Sequence, residues 1–488
     1  MQCGRHLRPG RIPDHAAVVV RHRRDTISGR SELMESRLTE RLRLLGERTA
    51  VVERGRRYSY LDLLEEIEKI GAALDAHGVA RHDVVVLNAD FSFTSIAALL
   101  ALSANKNVVV PIVHPTAAAM ATIAEHCRPD HRLRVAGDIE IERFSAERRG
   151  RRPAMYEALI EAGAAGLILL SSGSTGKPKA ILHDLDRLVD EHLGARARLG
   201  TKVPSILVFL LFDHIGGINT VLGAVLGGSP AVVPAERTPD AICALIQEYG
   251  VRVLPTSPTF LNLILIGDFH RRYDLGSLRL ITYGTEPMPD ELLTRLNDAF
   301  PRVKLLQTFG TSETGISGTA SESSNSTFFR ITGPDVQYRI VDGELQLKSR
   351  TQFLGYLNNP DSSLTEDNWF RTGDLVEEAG DGYLRIIGRA KEVINVGGEK
   401  VLPLELESLL LASPLIEDCV VYGRANSITG QAVCVDVKPS TEVSRAELRR
   451  HVIEFLDGKV DAFKVPSKVN IVSEVAISER FKKKRNIS

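Results

Sequence analysis

Apolar positions follow two alternating spacings over most of the chain. Short apolar runs such as residues 83–87 and 108–111 predict buried strands. Apolar residues at helical spacing follow Ser59, which is a suitable helix N-cap with Asp62 three residues later, and the pattern ends near Gly78. Because strands alternate with helices, the pattern indicates parallel sheets wrapped by helices.

The same alternation continues along the chain and predicts further elements. They are strands at residues 49–53, 57–59, 165–170, 206–211, 231–233 and 252–255, and helices at 96–102, 239–249 and 258–266. After about residue 330, short alternating strands at 337–341 and 344–348 predict a small β element. From residue 392 the order strand, helix, strand, strand, helix, strand predicts a compact α+β unit.

We therefore expect a large α/β N-terminal domain over residues 36–388 and a small mobile α+β C-terminal domain over residues 389–488. The large domain combines parallel sheets wrapped by helices with the small β element. Residues 1–35 are rich in arginine and are predicted to form a disordered extension, or to precede a true start at Met34.

Composition and charge argue against some classes of function but do not identify one. The chain of 488 residues has a formal net charge of −1, which indicates neither nucleic-acid binding nor attraction to an acidic membrane. No apolar run approaches the roughly 18 residues of a membrane span, so we expect no stable membrane insertion. Five widely spaced cysteines favour neither a zinc site nor a disulfide framework, and a reducing cytoplasm fits them best.

Candidate chemistry begins with a polar loop directly after the apolar strand 165–170. Residues 171–179 read Ser-Ser-Gly-Ser-Thr-Gly-Lys-Pro-Lys, so glycines can present backbone N–H groups to phosphate while hydroxyls and lysines add donors and charge. The loop is not a Walker A motif, because Pro178 stands where Ser or Thr would hold magnesium and Ser171 stands where glycine is required.

This loop resembles the signature loop of the adenylate-forming superfamily, which includes acyl-CoA synthetases, peptide-synthetase adenylation domains and luciferases. The resemblance implies that the loop closes over the β- and γ-phosphates of ATP, and that Thr175 belongs to the catalytic residues. The phosphate contacts implied are Ser172, Gly173, Ser174, Thr175, Gly176, Lys177 and Lys179.

Further segments resemble motifs of the same superfamily in the same order. Residues 214–217 (His-Ile-Gly-Gly) resemble the segment that lines the acid pocket, and residues 283–288 (Tyr-Gly-Thr-Glu-Pro-Met) resemble the segment between acid and adenine. Residues 308–314 resemble a motif in which Phe309 stacks on adenine, Ser312 contacts the α-phosphate and Glu313 binds magnesium. By resemblance, the acid contacts are His214, Tyr283, Gly284 and Thr308, and the further ATP contacts are Gly284, Thr285, Glu286, Phe309, Gly310, Thr311 and Ser312.

The second half of the chain continues the resemblance. Asp374 in Arg-Thr-Gly-Asp matches the ribose-binding aspartate, and a carboxylate can accept both ribose hydroxyls. Arg389 matches a nucleotide contact, and Lys391 matches the hinge about which the small domain rotates between the two half-reactions. Gly397, Gly398 and Glu399 resemble the acyl-CoA synthetase form of the next motif, where a thin pantetheine arm passes the backbone.

The last motif of the family places a catalytic lysine after glycine and three residues before arginine. Here Lys482 and Arg485 have that spacing, but Phe481 stands in place of the glycine. Residues 482–484 are all lysine, so the sequence leaves the register open by one position. A solvated basic tail is the alternative interpretation.

Together these motifs predict an ATP-dependent ligase that converts a carboxylic acid to an acyl-adenylate and transfers the acyl group to a thiol. The expected cosubstrates are ATP, Mg²⁺ and coenzyme A, or a phosphopantetheine carrier instead of coenzyme A. An acyl-carrier-protein ligase, a stand-alone adenylation enzyme and a degenerate nucleotide-binding protein remain alternatives. The pocket candidates mix polar and apolar types, so an apolar, an aryl and a small acid all stay open: His214, Thr256, Phe260, Tyr283 and Thr308.

Overall fold

The computed structural model describes residues 27–145, 152–171, 178–200, 202–359 and 363–485, and over residues 27–35 it describes the backbone alone. The first helix spans Ile27–Leu45 and therefore includes residues 27–35 of the predicted extension. Residues 1–26 lie outside the described residues. No described helix is long and apolar enough to cross a bilayer.

Two seven-stranded sheets form the body of the large domain. The first is parallel except for its last strand, in the order Lys304–Gln307, Leu280–Tyr283, Val253–Thr256, Ile206–Leu207, Ala231–Val233, Thr49–Glu53 and Arg56–Ser59. The second is mixed, in the order Gly355–Tyr356, Lys179–Asp184, Gly166–Ser171, Val108–Ile112, Val84–Asn88, His131–Ala136 and Asp138–Arg143.

Helices cover these sheets, as the alternating pattern predicts. Ser59 caps the second helix: its Oγ accepts the Asp62 N–H at 3.0 Å, and the Asp62 carboxylate accepts the Ser59 N–H at 2.7 Å. The α-helices of the large domain are Ile27–Leu45, Tyr60–Ala76, Phe93–Ala104, Ala117–Thr122, Met155–Ala162, Leu185–Gly194, Ile215–Val225, Pro239–Tyr249, Pro258–Ile266, Phe269–Arg272 and Asp290–Ala299, with a π-turn at Ile123–Cys127.

The small β element is a six-stranded sheet with a separate hairpin beside it. Its strands, in spatial order, are Thr319–Ser321, Phe329–Ile331, Leu384–Arg389, Phe370–Glu378, Glu344–Ser349 and Val336–Val341, and the hairpin pairs Phe309–Thr311 with Gly315–Ser317. A short 3₁₀ turn spans Gly380–Gly382.

The C-terminal unit is a five-stranded sheet with helices packed on it. Its strands are Glu399–Val401, Ile394–Val396, Gly430–Pro439, Ile416–Asn426 and Lys468–Ile471, and its helices are Pro403–Leu411, Arg445–Leu456 and the 3₁₀ turn Ala462–Lys464. The preceding sheet ends at Arg389 and this one begins at Ile394, on either side of the 3₁₀ turn Ala390–Glu392. The predicted boundary between residues 388 and 389 lies at the end of strand Leu384–Arg389, directly before this connection.

The α/β fold class is confirmed, and one predicted strand is shorter than expected. The strand predicted over residues 206–211 spans only Ile206–Leu207, because the chain then turns: the His214 N–H donates to Leu211 O at 3.2 Å, and a helix begins at Ile215. In the parallel sheet, Thr256, Tyr283 and Gln307 are register partners. The residues that follow these strands therefore meet at one edge, where parallel sheets hold their ligands.

Candidate active site

A cleft of about 1250 Å³ opens at this edge, and both the large domain and the C-terminal segment line it. The predicted site residues that line it are Lys179, His214, Thr256, Gly284, Thr285, Thr308, Gly310, Thr311, Ser312, Glu313, Arg389, Lys391 and Lys482. Ser172, Gly173, Ser174, Thr175, Gly176 and Lys177 lie outside the described residues, but both ends of their loop are described.

Both ends of the phosphate loop are fixed at the cleft. Ser171 and Lys179 are register partners on antiparallel strands, so the described residues on either side of the loop lie next to each other. The Asn358 amide donates to Pro178 O at 2.7 Å and accepts the Ala180 N–H at 2.9 Å. Asn358 thus holds the loop exit through hydrogen bonds to the backbone.

Glu313 lies in a tight turn whose backbone is held on both sides. Thr311 Oγ1 accepts the Glu313 and Thr314 N–H groups at 3.2 and 3.1 Å. His183 is fully buried, and burial lowers its pKa to about 4, so its neutral ring donates from Nε2 to Ser312 O at 2.7 Å. The turn therefore keeps the Glu313 carboxylate at the cleft wall.

One oxygen of Glu313 is bonded to a tyrosine that no predicted motif contains. Tyr356 donates its hydroxyl to Glu313 Oε1 at 2.8 Å, and Lys179 Nζ lies 4.8 Å from the centroid of the Tyr356 ring. Burial and the Glu313 charge both raise the pKa of Tyr356, so it stays a hydrogen-bond donor. Tyr356 consequently contacts both Lys179 at the end of the phosphate loop and Glu313 in the turn.

The segment after strand Leu280–Tyr283 approaches its neighbour so closely that it requires glycine. A Cβ on Gly284 would lie 2.6 Å from Thr308 Oγ1, which itself donates to Tyr283 O at 3.1 Å. Thr285 follows with a positive φ of 72°. Gly284, Thr285 and Thr308 all line the cleft through this close contact.

Four predicted contacts do not line the described cleft, and three of them are buried. The Phe309 ring stacks on Phe329 at a centroid distance of 5.8 Å, inside the core of the small β element, rather than facing the cleft. The Glu286 carboxylate accepts the Thr259 N–H at 2.7 Å at a helix start. Tyr283 and Phe260 are at most 1% exposed in the core of the large domain. In this structure none of these four side chains lines the described cleft, so the ATP contacts of Phe309 and Glu286 and the acid contacts of Tyr283 and Phe260 stay predictions.

Asp374 does not line the described cleft itself but pairs with Arg389, which does. Its carboxylate is 2.9 Å from Arg389 Nε on the paired strand, and Arg389 lines the cleft while Asp374 lies buried behind it. Burial raises the pKa of Asp374 and the Arg389 charge opposes that shift. The pair forms one wall beside Gly373, whose N–H donates to Glu344 Oε1 at 2.9 Å.

Of the three consecutive lysines, Lys482 alone lines the described cleft. Lys483 Nζ points into the C-terminal unit and is 2.6 Å from the Asp418 carboxylate, while Lys484 is exposed. Phe481 takes a positive φ of 51° where the family has glycine, and its carbonyl accepts the Ser257 hydroxyl at 2.9 Å. The position of Lys482 at the cleft favours the register in which Lys482 is the lysine of the last motif.

The environment of Lys482 is desolvated and mostly cationic. Burial lowers its pKa to about 8, with Arg389 and Arg480 acting in the same direction and Glu286 and Asp374 opposing. Arg480, which the motif comparison does not single out, lines the cleft and donates to Leu170 O at 3.0 Å. A concentration of positive charge at a cleft with few carboxylates suits a polyanion.

His214 stands at the start of the helix Ile215–Val225. Its Nδ1 accepts the Gly216 N–H at 3.2 Å, which caps the helix. Burial lowers its pKa well below the usual value, and the charges of Arg480 and Lys482 lower it further. His214 is therefore a neutral wall residue between the lysine and the helix.

The predicted thiol-path residues lie away from the cleft in this arrangement. Gly397 and Gly398 form an exposed turn with φ values of 63° and 97°, and the Gly398 N–H donates to Asn395 Oδ1 at 2.9 Å. Glu399 is exposed beside them, whereas Lys391 lines the cleft from the turn between the domains.

Comparison with known families fits this division into two units. Residues 38–357 match the family described as AMP-binding enzyme, and residues 405–482 match AMP-binding enzyme C-terminal domain. The chain belongs to the AMP-binding enzymes. Its match to the family covers both the parallel sheets with their cleft and the unit that carries Lys482.

Individual relatives of this AMP-binding enzyme match it over most of their length. An indoleacetate–CoA ligase of Aromatoleum aromaticum is 28% identical over 88% of this chain and 92% of its own. A 4-coumarate–CoA ligase-like protein of Oryza sativa is 27% identical over 86% of each. The solved anthranilate CoA ligase AuaEII, in complex with anthranoyl-AMP, has a TM-score of 0.76 and 19% identity over 92% of this chain and 95% of that one.

Several contacts of this AMP-binding enzyme involve residues that lie outside the predicted motifs. Tyr356 contacts Glu313, His183 contacts the neighbouring Ser312, and Asn358 contacts the end of the phosphate loop. His183 lies on the observed strand Lys179–Asp184, directly after the phosphate loop, and a histidine among apolar residues there is the one local signal that could have identified it.

Proposed function

We propose that this AMP-binding enzyme is an AMP-forming acid–thiol ligase whose acceptor is coenzyme A. The observation that carries the proposal is the meeting of Lys482, Glu313 and the exit of the phosphate loop at one cleft. The named relatives are ligases for coenzyme A, which favours coenzyme A over a carrier protein.

In the first step, a carboxylate oxygen of the acid attacks the α-phosphorus of ATP. The new P–O bond gives the acyl-adenylate, and the bond to pyrophosphate breaks. The barrier is mainly the crowding of negative charge and the alignment of the reactants. Lys482 would bridge the acid and the α-phosphate, and residues 171–179 would hold the leaving pyrophosphate.

The residues at the cleft also fit a magnesium ion bound together with ATP. Glu313 places a carboxylate at the wall, and only its Oε1 is bonded to Tyr356. No group of three described His, Cys, Asp or Glu side chains could hold a metal ion alone, so phosphate oxygens would complete the set. The ion would supply charge neutralisation, while Tyr356 orients the carboxylate.

In the second step, the thiol attacks the acyl carbon and AMP leaves. We propose that the small domain rotates about Lys391 between the steps, which withdraws Lys482 and brings Gly397 and Gly398 to the thiol path. Lys391 lies in an exposed turn between two sheets, which suits a hinge, because a hinge must absorb backbone rotation without moving a packed side chain.

The cytoplasm is the proposed location. The four described cysteines at positions 127, 243, 419 and 434 are all unpaired and buried. Unpaired cysteines are typical of a reducing compartment.

Acid-dependent exchange of labelled pyrophosphate into ATP tests the first step. We expect Lys482→Ala to slow this exchange by roughly 10²–10³, since one preorganised cation at a transition state has that effect. Thioester formation from supplied acyl-adenylate should remain nearly intact, because Lys482 is withdrawn in the second step. Assays with coenzyme A and with a phosphopantetheinylated carrier protein identify the acceptor.

The neighbouring Lys484→Ala is the matched control, because Lys484 is exposed and has the same charge. It should keep the exchange rate of the native chain. Equal loss in both half-reactions for Lys482→Ala, or equal loss in the two variants, would contradict the assignment. Persistent absence of exchange despite ATP binding would favour a nucleotide-binding protein.

A further inference from the structure

One end of the cleft continues beyond Lys482 along the helix Ile215–Val225. Gly216, Thr220, Gly223 and Gly227 line the cleft at a spacing of three to four residues, which places them on one side of the helix and its C-terminal extension. From the first to the last of these, a helical rise spans about 16 Å. The cleft is thus much longer than a small acid requires.

Two paired parallel strands form the opposite wall of the channel, and this wall runs alongside the helix Ile215–Val225. Val253 and Thr256, at the two ends of one strand, both line the cleft, and Ile206 on the paired strand lies beside Val253. Three strand intervals span about 10 Å. Because the Ser257 hydroxyl bonds to Phe481 O, the Thr256 end is the end nearest Lys482, and Val253 marks the far end.

Glycines on the helix side let two basic side chains pack closely against the channel wall. A Cβ on Gly223 would lie 3.3 Å from His192 Cε1, and one on Gly227 would lie 2.4 Å from Gly223 O and 2.5 Å from Arg198 Nη1. Larger residues would therefore displace His192 and Arg198 from the wall.

The far end of the channel is polar and positively charged. His192 donates from Nε2 to Asn219 Oδ1 at 3.2 Å, and burial lowers its pKa to about 4, so this pair is neutral. Arg196 and Arg198 are exposed at the channel mouth, and the one side-chain hydrogen bond described for Arg198 is a long one of 3.5 Å to Gly227 O. None of the described ion pairs contains Arg198.

The acidic residues of the cleft lie elsewhere. Glu313 is bonded to Tyr356, and Glu344 pairs with Arg371 beside the wall formed by Asp374 and Arg389. Glu125 belongs to a segment packed on the other face of the second sheet. The described lining of the far end consequently carries positive charge without a compensating carboxylate.

We propose, on the basis of the acid-activating function above, that the preferred substrate is an elongated dicarboxylic acid and that Arg198 binds its second carboxylate. The two carboxylates would lie about 10–16 Å apart, as the two walls measure. Ile206 and Val253 contact the apolar part of the acid next to its distal carboxylate, and the Arg198 guanidinium offers a planar pair of donors to that carboxylate.

Pyrophosphate exchange with the native enzyme tests the substrate class directly. Each dicarboxylic acid is compared with the monocarboxylic acid of the same length and rigidity, over a series of carboxylate separations. We expect kcat/KM for the dicarboxylic acid to exceed that of its partner by roughly tenfold or more near 10–16 Å, the usual effect of a charged hydrogen bond. Equal kcat/KM values for the two acids would overturn this inference without affecting the proposed ligase function. Absence of exchange with every acid would overturn both proposals.

Replacement of Arg198 by methionine tests the residue, and Arg41→Met is its matched control. Arg41 braces the same helix end through Leu226 O at 2.6 Å and Leu193 O at 2.8 Å, but it does not line the described cleft. We expect Arg198→Met to lower the ratio of kcat/KM for the two acids by roughly tenfold or more. Arg41→Met should keep that ratio even if its thermal stability falls.

Two results would overturn the role of Arg198. Equal loss of selectivity in both variants would show that Arg198 only supports the helix end. A higher KM for coenzyme A with unchanged acid selectivity would instead place the thiol substrate at this charge. Arg198→Glu provides a gain of function: it should shift preference from the dicarboxylic acid to an acid of equal length with a terminal ammonium group.

Discussion

Lys482 shows how strongly the surroundings of one side chain can set its chemistry. Its pKa falls to about 8 because burial removes water from the ammonium group and Arg389 repels it. A lysine at this pKa is charged at neutral pH and neutral in mild base. A role that depends on the charge must therefore depend on pH within the working range of the enzyme.

We expect kcat/KM for the acid in the adenylation half-reaction to fall as pH rises through about 8, since Lys482 loses its proton there and kcat/KM reports the free enzyme. The measurement is pyrophosphate exchange from pH 6 to pH 10 with Mg-ATP and acid both well below saturation, so that the free enzyme predominates (a range of roughly two pH units about the pKa). Lys482→Arg keeps the charge over this range and should lose the descending limb. A limb that persists in Lys482→Arg would assign the titration to another group.

Among the elements, the turn that carries Lys482 is held against the large domain by an unusual residue. The Phe481 ring lies 5.3 Å from the Phe209 ring and 5.0 Å from the Phe260 ring, measured between centroids. Its left-handed backbone would suit glycine better, and an L side chain there costs roughly 1–2 kcal/mol. The aromatic contacts offset that cost and stabilise the docked arrangement.

Phe481→Gly should therefore weaken docking, because the lost aromatic packing, roughly 3 kcal/mol for such a ring, exceeds the relieved backbone strain. We expect the rate of adenylation relative to thioester formation, each measured in a single turnover, to fall by roughly tenfold. Phe463→Ala is the control, because Phe463 packs only on the core of the C-terminal unit. An equal change of the ratio in both variants would show that general loss of stability, not docking, is responsible.

At the scale of the whole molecule, buried ion pairs connect the final segment to the body of the C-terminal unit. Lys483 Nζ is 2.6 Å from Asp418 Oδ1 and donates to Cys419 O at 2.7 Å. Arg485 is 2.6 Å from the buried Glu407 carboxylate. These pairs flank Lys482 on the side away from the cleft, so they fix the direction in which its side chain points.

Asp418→Ala should destabilise the C-terminal unit by about 3–5 kcal/mol, because it leaves Lys483 buried without its partner. Glu417→Ala is the matched control: Glu417 pairs with Lys438 at 2.6 Å, but both side chains are about one-quarter exposed, at 25% and 27%. That change should cost about 0–1 kcal/mol.

Calorimetry of the full chain measures both variants, and the transition of the C-terminal unit should move in Asp418→Ala alone. Comparable shifts in the two variants would contradict a special role for the buried pair. Loss of adenylation in Asp418→Ala at temperatures where the chain remains folded would further link the pair to the placement of Lys482.

The sequence by itself determined the alternation of strands and helices, the connection between the two domains and the order of the family motifs. These features depend on local physics: periodic burial, the Ser59–Asp62 capping box and glycine turns each act over a few residues. The predicted helices at 239–249 and 258–266 consequently match the observed bounds.

Only the tertiary structure decided which side chains face the cleft. Lys482 alone of the three lysines lines the described cleft, Phe309 and Glu286 contact other residues instead, Tyr356 contacts Glu313, and Arg198 lines the far end of the channel. A motif fixes the backbone path near a ligand, but the direction of each side chain depends on packing against segments that lie about 20 to 40 residues away in these examples. That packing has no local signature in the sequence.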